Sequence, residues 1–226
     1  MDDLLWHLGK IARLRFWYQV RHRGRWVLLV FIGLNSALSI FFLGLIAWLT
    51  SWPLIFPSLG PSVFLIFYTP SRAMSSPRNT LLGHLSAGII GIVGLKLAHL
   101  LGLHTGLTLE GISILALTVG ITGIFMSATR ILHPPAASTA LIASLGMLPG
   151  WHALLVLACA CGIILIQAII FHRLAGVSYP LWAPFKEDIS PDIKTIDGNV
   201  SFFASRKRPS TLADMAEQIV FRGKVD

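Results

Sequence analysis

The chain has 226 residues, of which 54% are hydrophobic and 12% charged, with a formal net charge of +8. Soluble domains carry roughly 25% charged residues, so this composition excludes an ordinary soluble protein and predicts an integral membrane protein with one membrane domain using most of the chain. Charge is segregated: residues 1–26 hold six Lys/Arg and two Asp, 27–171 hold only Arg72, Arg78, Lys96, Arg130 and Glu110, and 172–226 hold eight Lys/Arg and seven acids.

The basic arm, 1–26, interleaves Trp6, Leu14, Phe16, Trp17 and Trp26 with arginines. That pattern predicts an amphipathic helix lying among lipid headgroups, with the arginines acting as a positive-inside signal. No nucleic-acid reading motif accompanies them, so nucleic acid is not expected as a partner. No cleavable signal pattern is evident, and Val27–Leu49 reads as a retained span of about 34 Å.

From Leu54 to Thr69 the chain is cut by Pro57 and Pro61, and even a fully helical segment would rise only about 24 Å, short of a hydrocarbon core of about 30 Å. This predicts a broken, partial helix. A polar loop, 71–79, precedes a third span to about Leu101. Its Gly83, Gly88, Gly91 and Gly94 predict close helix packing, within one chain or between chains. Leu107 to about Ile131 is another full span. Ala136–Leu148 is a second short segment, and His152–Phe171 spans again. Lys96 is expected to snorkel outward, toward Glu110. Cys159 and Cys161, two apart on a helix, read as small buried groups and not as a pair. In the tail, 173–226, Thr211 with Asp214 resembles a capping box. The expected organisation is an arm (1–26), a membrane domain (27–172) and a cytoplasmic extension (173–226).

The two halves repeat a plan: long span, proline break, short segment, turn, long span. Three crossings per half make the halves inverted. The positive-inside rule agrees at every loop when both termini are cytoplasmic. The expected fold class is therefore an all-α membrane protein of about six segments, in two inverted three-segment repeats with one proline-broken short helix each. This plan recurs among transporters, where broken backbone at membrane depth lines a pathway. A proline kink with only a packing role is the plainer alternative.

The break TRILHPPAASTA, 129–140, carries the candidate site. A helix starting at Pro134–Pro135 is expected to leave the N–H groups of Ala136, Ala137 and Ser138 free at its positive end. Ser138 and Thr139 add hydroxyls, and Arg130 and His133 lie just before. Ser62, after Gly60–Pro61, is the matching position in the first half. His84 sits inside the third span, where an ionisable group is expensive. Together these groups suit a small anion. Each also has a plain reading: His133 as a cap, Arg130 as an interfacial anchor, Ser138 and Thr139 as helix–helix contacts. An enzyme is not expected. Glu110 is the single acid between 27 and 171, no hydrolase or phosphate-loop motif occurs, and His84 with His133 lacks an evident third metal ligand. No cofactor is expected.

At these residues the chain resembles the HPP family of integral membrane proteins, named for the motif found here as His133–Pro134–Pro135. The resemblance covers about 27–172 and includes Gly60–Pro61–Ser62, Pro77–Arg78–Asn79 and Gly83–His84–Leu85. Where the family more often has Gly-Gly after the motif, this chain has Ala136–Ala137. The resemblance implies a membrane protein, and in some plant and cyanobacterial-type relatives nitrite transport. It adds Arg78 and Asn79 to the candidate site.

The leading expectation is a transporter or channel for a small inorganic anion, nitrite among the candidates, in a bacterial inner membrane. Its partners would be the lipid bilayer, the anion and, as an open possibility, further copies of itself. The alternative is a structural or regulatory membrane subunit acting through its C-terminal tail.

Overall fold

The computed structural model describes residues 25–148, 150–175 and 177–184. The expected amphipathic arm, the Thr211 capping box and most of the C-terminal extension lie outside these residues. The described chain is all-helical: α1 (Arg25–Thr50), α2 (Leu59–Tyr68), a 3-10 turn (Ala73–Ser75), α3 (Pro77–Leu100), α4 (Leu109–Thr129), α5 (Ala136–Ser144) and α6 (Gly150–Ala175). Four helices, α1, α3, α4 and α6, are long and apolar enough to cross a bilayer. The 10-residue α2 and the 9-residue α5 rise only about 15 and 14 Å. Each covers about half of a hydrocarbon core.

Local chemistry sets these boundaries. Ser76 opens α3, its side chain accepting from the Asn79 N–H, with Pro77 in the first turn where no N–H is needed. Thr108 caps α4 in the same way, accepting from the Gly111 N–H. Arg130 ends α4 in the left-handed conformation, φ 56° and ψ 33°, and the following Ile131 N–H returns 3.0 Å to the Met126 carbonyl, a Schellman-type closure. The first short helix is shorter than the sequence suggests. It starts at Leu59, not Leu54, because Pro57 disfavours helix at the preceding residue and the chain from Trp52 to Phe56 is non-helical.

α3 is the central element. α5 lies along it, with α6 and α4 also against it, while α2 packs chiefly on α1. The glycines of α3 face neighbours in the same chain, which settles that part of their role. A Cβ on Gly83 would stand 2.8 Å from the His133 Cβ, one on Gly88 2.5 Å from the Leu154 side chain, and one on Gly91 2.5 Å from the Ala143 Cβ and 2.6 Å from the Ala140 carbonyl oxygen. Large side chains such as Phe41, Trp48, Leu117, Ile124 and Leu155 are exposed, as expected of a surface solvated by lipid.

One end of the assembly gathers the start of α3, the end of α6 and residues 177–184. Ser71 donates to the Ser178 carbonyl, Tyr179 donates to the Ser75 carbonyl, and the Arg78 N–H donates to the Trp182 carbonyl. Burial pushes the Tyr179 hydroxyl above its ordinary pKa, so it remains a donor. There His172 lies stacked between Phe67 (4.9 Å) and Tyr179 (4.7 Å). Its Nδ1–H donates to Ala168, and its Nε2 is buried without a partner. At the other end Glu110 accepts from His104 and Lys96 sits 5.2 Å over the Trp151 ring. This corrects the expected Lys96–Glu110 approach: the ammonium has an aromatic face nearby, and the carboxylate caps its own loop. Cys159 is exposed and Cys161 buried, both free.

Three stability outcomes follow from this packing. Gly91→Ala will lower the thermal midpoint in detergent by overpacking, worth about 1–3 kcal/mol. Gly123→Ala, on an α4 position with nothing within 4 Å, will leave it unchanged or raise it by up to about 1 kcal/mol through helix propensity. His172→Phe keeps both ring stacks and removes the unpartnered nitrogen, so its midpoint will stay within about 1 kcal/mol of the parent. A collapse of that variant would show that His172 does more than pack.

Candidate functional site

Where α2, α3 and α5 meet, a buried polar cluster replaces the apolar core. Ser58, Ser62, Thr80, His84, His133 and Thr139 are all 0–1% exposed. Ser62 Oγ lies 2.7 Å from His84 Nε2, 2.9 Å from His133 Nε2 and 3.1 Å from the Ser58 carbonyl oxygen. On the far side of His84, Nδ1 is 2.6 Å from Thr139 Oγ1, which in turn donates to Ser58 Oγ at 2.9 Å. On the far side of His133, Nδ1 is 2.7 Å from the Met74 carbonyl oxygen, with Thr80 Oγ1 at 3.5 Å. The two imidazoles meet edge to face, centroids 5.0 Å apart.

The two half-helices build this cluster with their first turns. Ser58 touches Thr139 and Ser62 touches His133, so numbering rises along α2 as it falls along α5. The helices pass antiparallel, and α3 supplies His84 between them. α5 comes this close because Gly83 leaves room for the His133 Cβ. The space needed for close approach lies on α3, and Ala136–Ala137 suffice on α5.

The expected free N–H groups at the start of α5 are not free. Ala136 bonds to the His133 carbonyl at 2.9 Å, Ala137 to Pro134 at 3.0 Å and Ser138 to Pro135 at 3.2 Å. The helical turn begins at the prolines themselves, which have no N–H, and the next donors close tight i→i+3 bonds. The backbone anion cradle read from the sequence is therefore corrected to a side-chain cluster.

Of the candidate residues, Ser62, His84, His133 and Thr139 come together, with Asn79 beside them. Asn79 Nδ2 donates to the Leu132 carbonyl, and its Oδ1 is buried without a partner. Ala136 is buried beside them as packing. Gly60, Pro61, Pro134 and Arg130 are exposed, and Pro135, Ser138 and Arg78 are partly buried outside the hydrogen-bonded cluster. Sequence reasoning missed Ser58, Thr80 and the Met74 carbonyl. Ser58 precedes Ser62 by one helical turn, a spacing that could have exposed it. Met74 acts through its backbone and leaves no trace in residue type. Among the described residues no group of three His, Cys, Asp or Glu side chains is placed to hold a metal ion.

The family model for the HPP transmembrane region matches residues 21–180. Two transmembrane proteins of Dictyostelium discoideum are each 32% identical over 95 residues. That alignment covers 42% of this chain and 31% and 29% of the relatives, so the chain spans about a third of their length. No solved structure matches. The match embraces all four long spans, both half-helices and the histidine cluster, and the chain belongs to the HPP family of multi-pass membrane proteins.

Proposed function

We propose that this chain is a transporter or channel for a small inorganic anion, nitrite among the candidates, and not an enzyme. One observation carries the reading: a closed chain of hydroxyls and two imidazoles buried among the spans, at the meeting of two half-length helices. Ionisable groups inside a membrane domain are expensive and mark pathways and relays, and broken helices at membrane depth attend binding sites. Hydroxyl groups and imidazoles whose charge comes and goes with a proton suit an anion that must enter and leave. The antiparallel passage of α2 and α5 supports a six-passage, inverted arrangement. Arg72, Arg78, Arg130 and Arg173 lie toward one end, which supports placing that end and both termini in the cytoplasm of a bacterial cell, with the chain in the inner membrane.

The regulatory reading has its own support. Residues 177–184 are tied to Ser71, Ser75 and Arg78, flanking Met74, whose carbonyl holds His133. A tail bound to a partner could act on the site through this strap. Removing 185–226 separates the two: a transporter keeps its flux, whereas a partner-driven subunit loses function while tolerating changes at His133.

The decisive test is anion flux into liposomes containing the purified protein, with nitrite, nitrate, formate, bicarbonate and chloride compared. Selective flux is expected. His133→Ala, in protein shown to be folded, removes the ring that bonds Ser62 to the Met74 carbonyl and can carry the charge opposite an anion, a loss of about 1.5–3 kcal/mol that should slow flux roughly ten- to hundredfold. Arg130→Ala, at an exposed helix end, should leave it within about threefold. Folded protein that passes none of the anions would end the transport reading.

A further inference from the structure

Counting protons through the cluster leaves one position unfilled. A backbone carbonyl only accepts, so His133 Nδ1, 2.7 Å from the Met74 oxygen, carries a hydrogen, and neutral His133 presents a lone pair at Nε2. Thr139 spends its hydroxyl proton on Ser58 Oγ. His84 Nδ1, 2.6 Å from Thr139 Oγ1, must therefore donate to it, and neutral His84 also presents a lone pair at Nε2. Both lone pairs aim at Ser62 Oγ, at 2.7 and 2.9 Å, and the Ser58 carbonyl is a third acceptor at 3.1 Å. Ser62 has one proton for three acceptors. With every group neutral, one imidazole faces an oxygen with no hydrogen between them.

We propose that His84, Ser62 and His133 form a one-proton site, and that this proton travels with the anion. One added proton completes the cluster. Placed on His84 Nε2, it makes that ring an imidazolium that donates to Ser62 Oγ, while the Ser62 hydroxyl turns to His133 Nε2. Placed on His133 Nε2, it gives the mirror arrangement. Exchange needs no net change at Ser62: its oxygen takes the proton from one ring as its own proton passes to the other. A second added proton would find room on Ser62, whose oxygen accepts twice while its hydroxyl turns to the Ser58 carbonyl, but it would place two imidazolium charges in buried rings 5.0 Å apart. The site therefore takes one proton, not two.

Among the described residues the surroundings hold no competing charge. α2 brings Ser58 and Ser62, α3 brings Thr80 and Asn79, and α5 brings Thr139. On α6, Cys161 and His172 are buried elsewhere, the latter stacked on Phe67 of α2. Arg72, Arg78 and Arg130 are partly or fully exposed at the ends of their elements. Lys96 lies over Trp151, and Glu110, the single acid among the described residues, is exposed and held by His104. An anion entering this interior alone would meet no cation. The proton on the histidine pair supplies the compensating charge and leaves with it.

The proton site rests on the geometry alone, and its coupling rests on the transport reading, so two measurements separate them. The first is nitrogen NMR of histidine-labelled protein in micelles, titrated from alkaline to mildly acidic pH. Both rings are expected as the Nδ1–H tautomer at high pH, followed by uptake of one proton by the pair. In Thr139→Val, His84 loses its Nδ1 acceptor and should switch to the Nε2–H tautomer. It then donates to Ser62 and fills the empty position, and proton uptake should weaken by at least about tenfold, a shift of about one pH unit. An Nε2–H His84 in the parent protein, two protons taken up, or none, would overturn the site. The second measurement imposes a pH gradient on the liposomes. Coupled movement drives the anion to accumulate against its own gradient, and flux indifferent to the pH gradient overturns the coupling. If no anion moves at all, the transport reading and the coupling fall together, and the tautomers still decide the proton site.

Discussion

Everything in this membrane domain depends on starting two half-length helices among its long spans without leaving their backbone bare. Each unsatisfied peptide group there costs several kcal/mol. α5 meets the constraint by having few donors to satisfy: Pro134 and Pro135 carry no N–H, and Ala136, Ala137 and Ser138 close onto the carbonyls just before them. α2 does the same with Pro61 in its first turn and a Leu59 N–H bonded to the Phe56 carbonyl. With the backbone closed on itself, the polar side chains of both first turns are released to bond to one another. The hydroxyl and imidazole cluster is the consequence.

That release requires α5 to approach α3 almost backbone to backbone. Gly83 and Gly91 are the points where this happens, against His133 and against Ala140–Ala143. In lipid no hydrophobic force draws helices together, so close van der Waals contact has to do so. The same contacts set the position of His84 between Ser62 and Thr139. Packing and site geometry are thus one arrangement: a side chain at Gly83 would push away the very residue that bears the ring.

Four long spans and two short segments were legible from hydropathy and proline spacing, because the bilayer fixes the length of any crossing helix. Ser62, His84, His133 and Thr139 were legible as polar residues where none should be. What could not be read was how the backbone would close. The N–H groups of 136–138 looked free because capping rules describe helix ends in isolation, whereas two consecutive prolines start the turn earlier than the first regular residue. Arg130 looked like a site residue because it is three positions from His133. Its left-handed conformation ends α4 and leaves its side chain exposed, which spacing along the chain does not reveal. Ala136–Ala137, where the family more often has Gly-Gly, do not prevent the close approach. The relevant glycine was on the opposing helix, in sequence terms fifty residues away.

Among the described residues no arginine joins the cluster, which bears on the proposed transport. A guanidinium stays protonated under all relevant conditions, and within a low-dielectric interior its attraction for an anion would be large. Such a group would hold its ligand too firmly for rapid release, since passage needs binding strong enough to admit a solute and weak enough to free it. A histidine pair bridged by one serine behaves differently: its charge comes and goes with a single proton. Placing the arginines at the end of the domain and the histidines at its centre lets fixed charge orient the protein while leaving the interior neutral between turnovers. On this reading the sequence keeps acids and arginines out of the cluster for the same reason, because either would fix a charge that the proposed cycle requires to be removable.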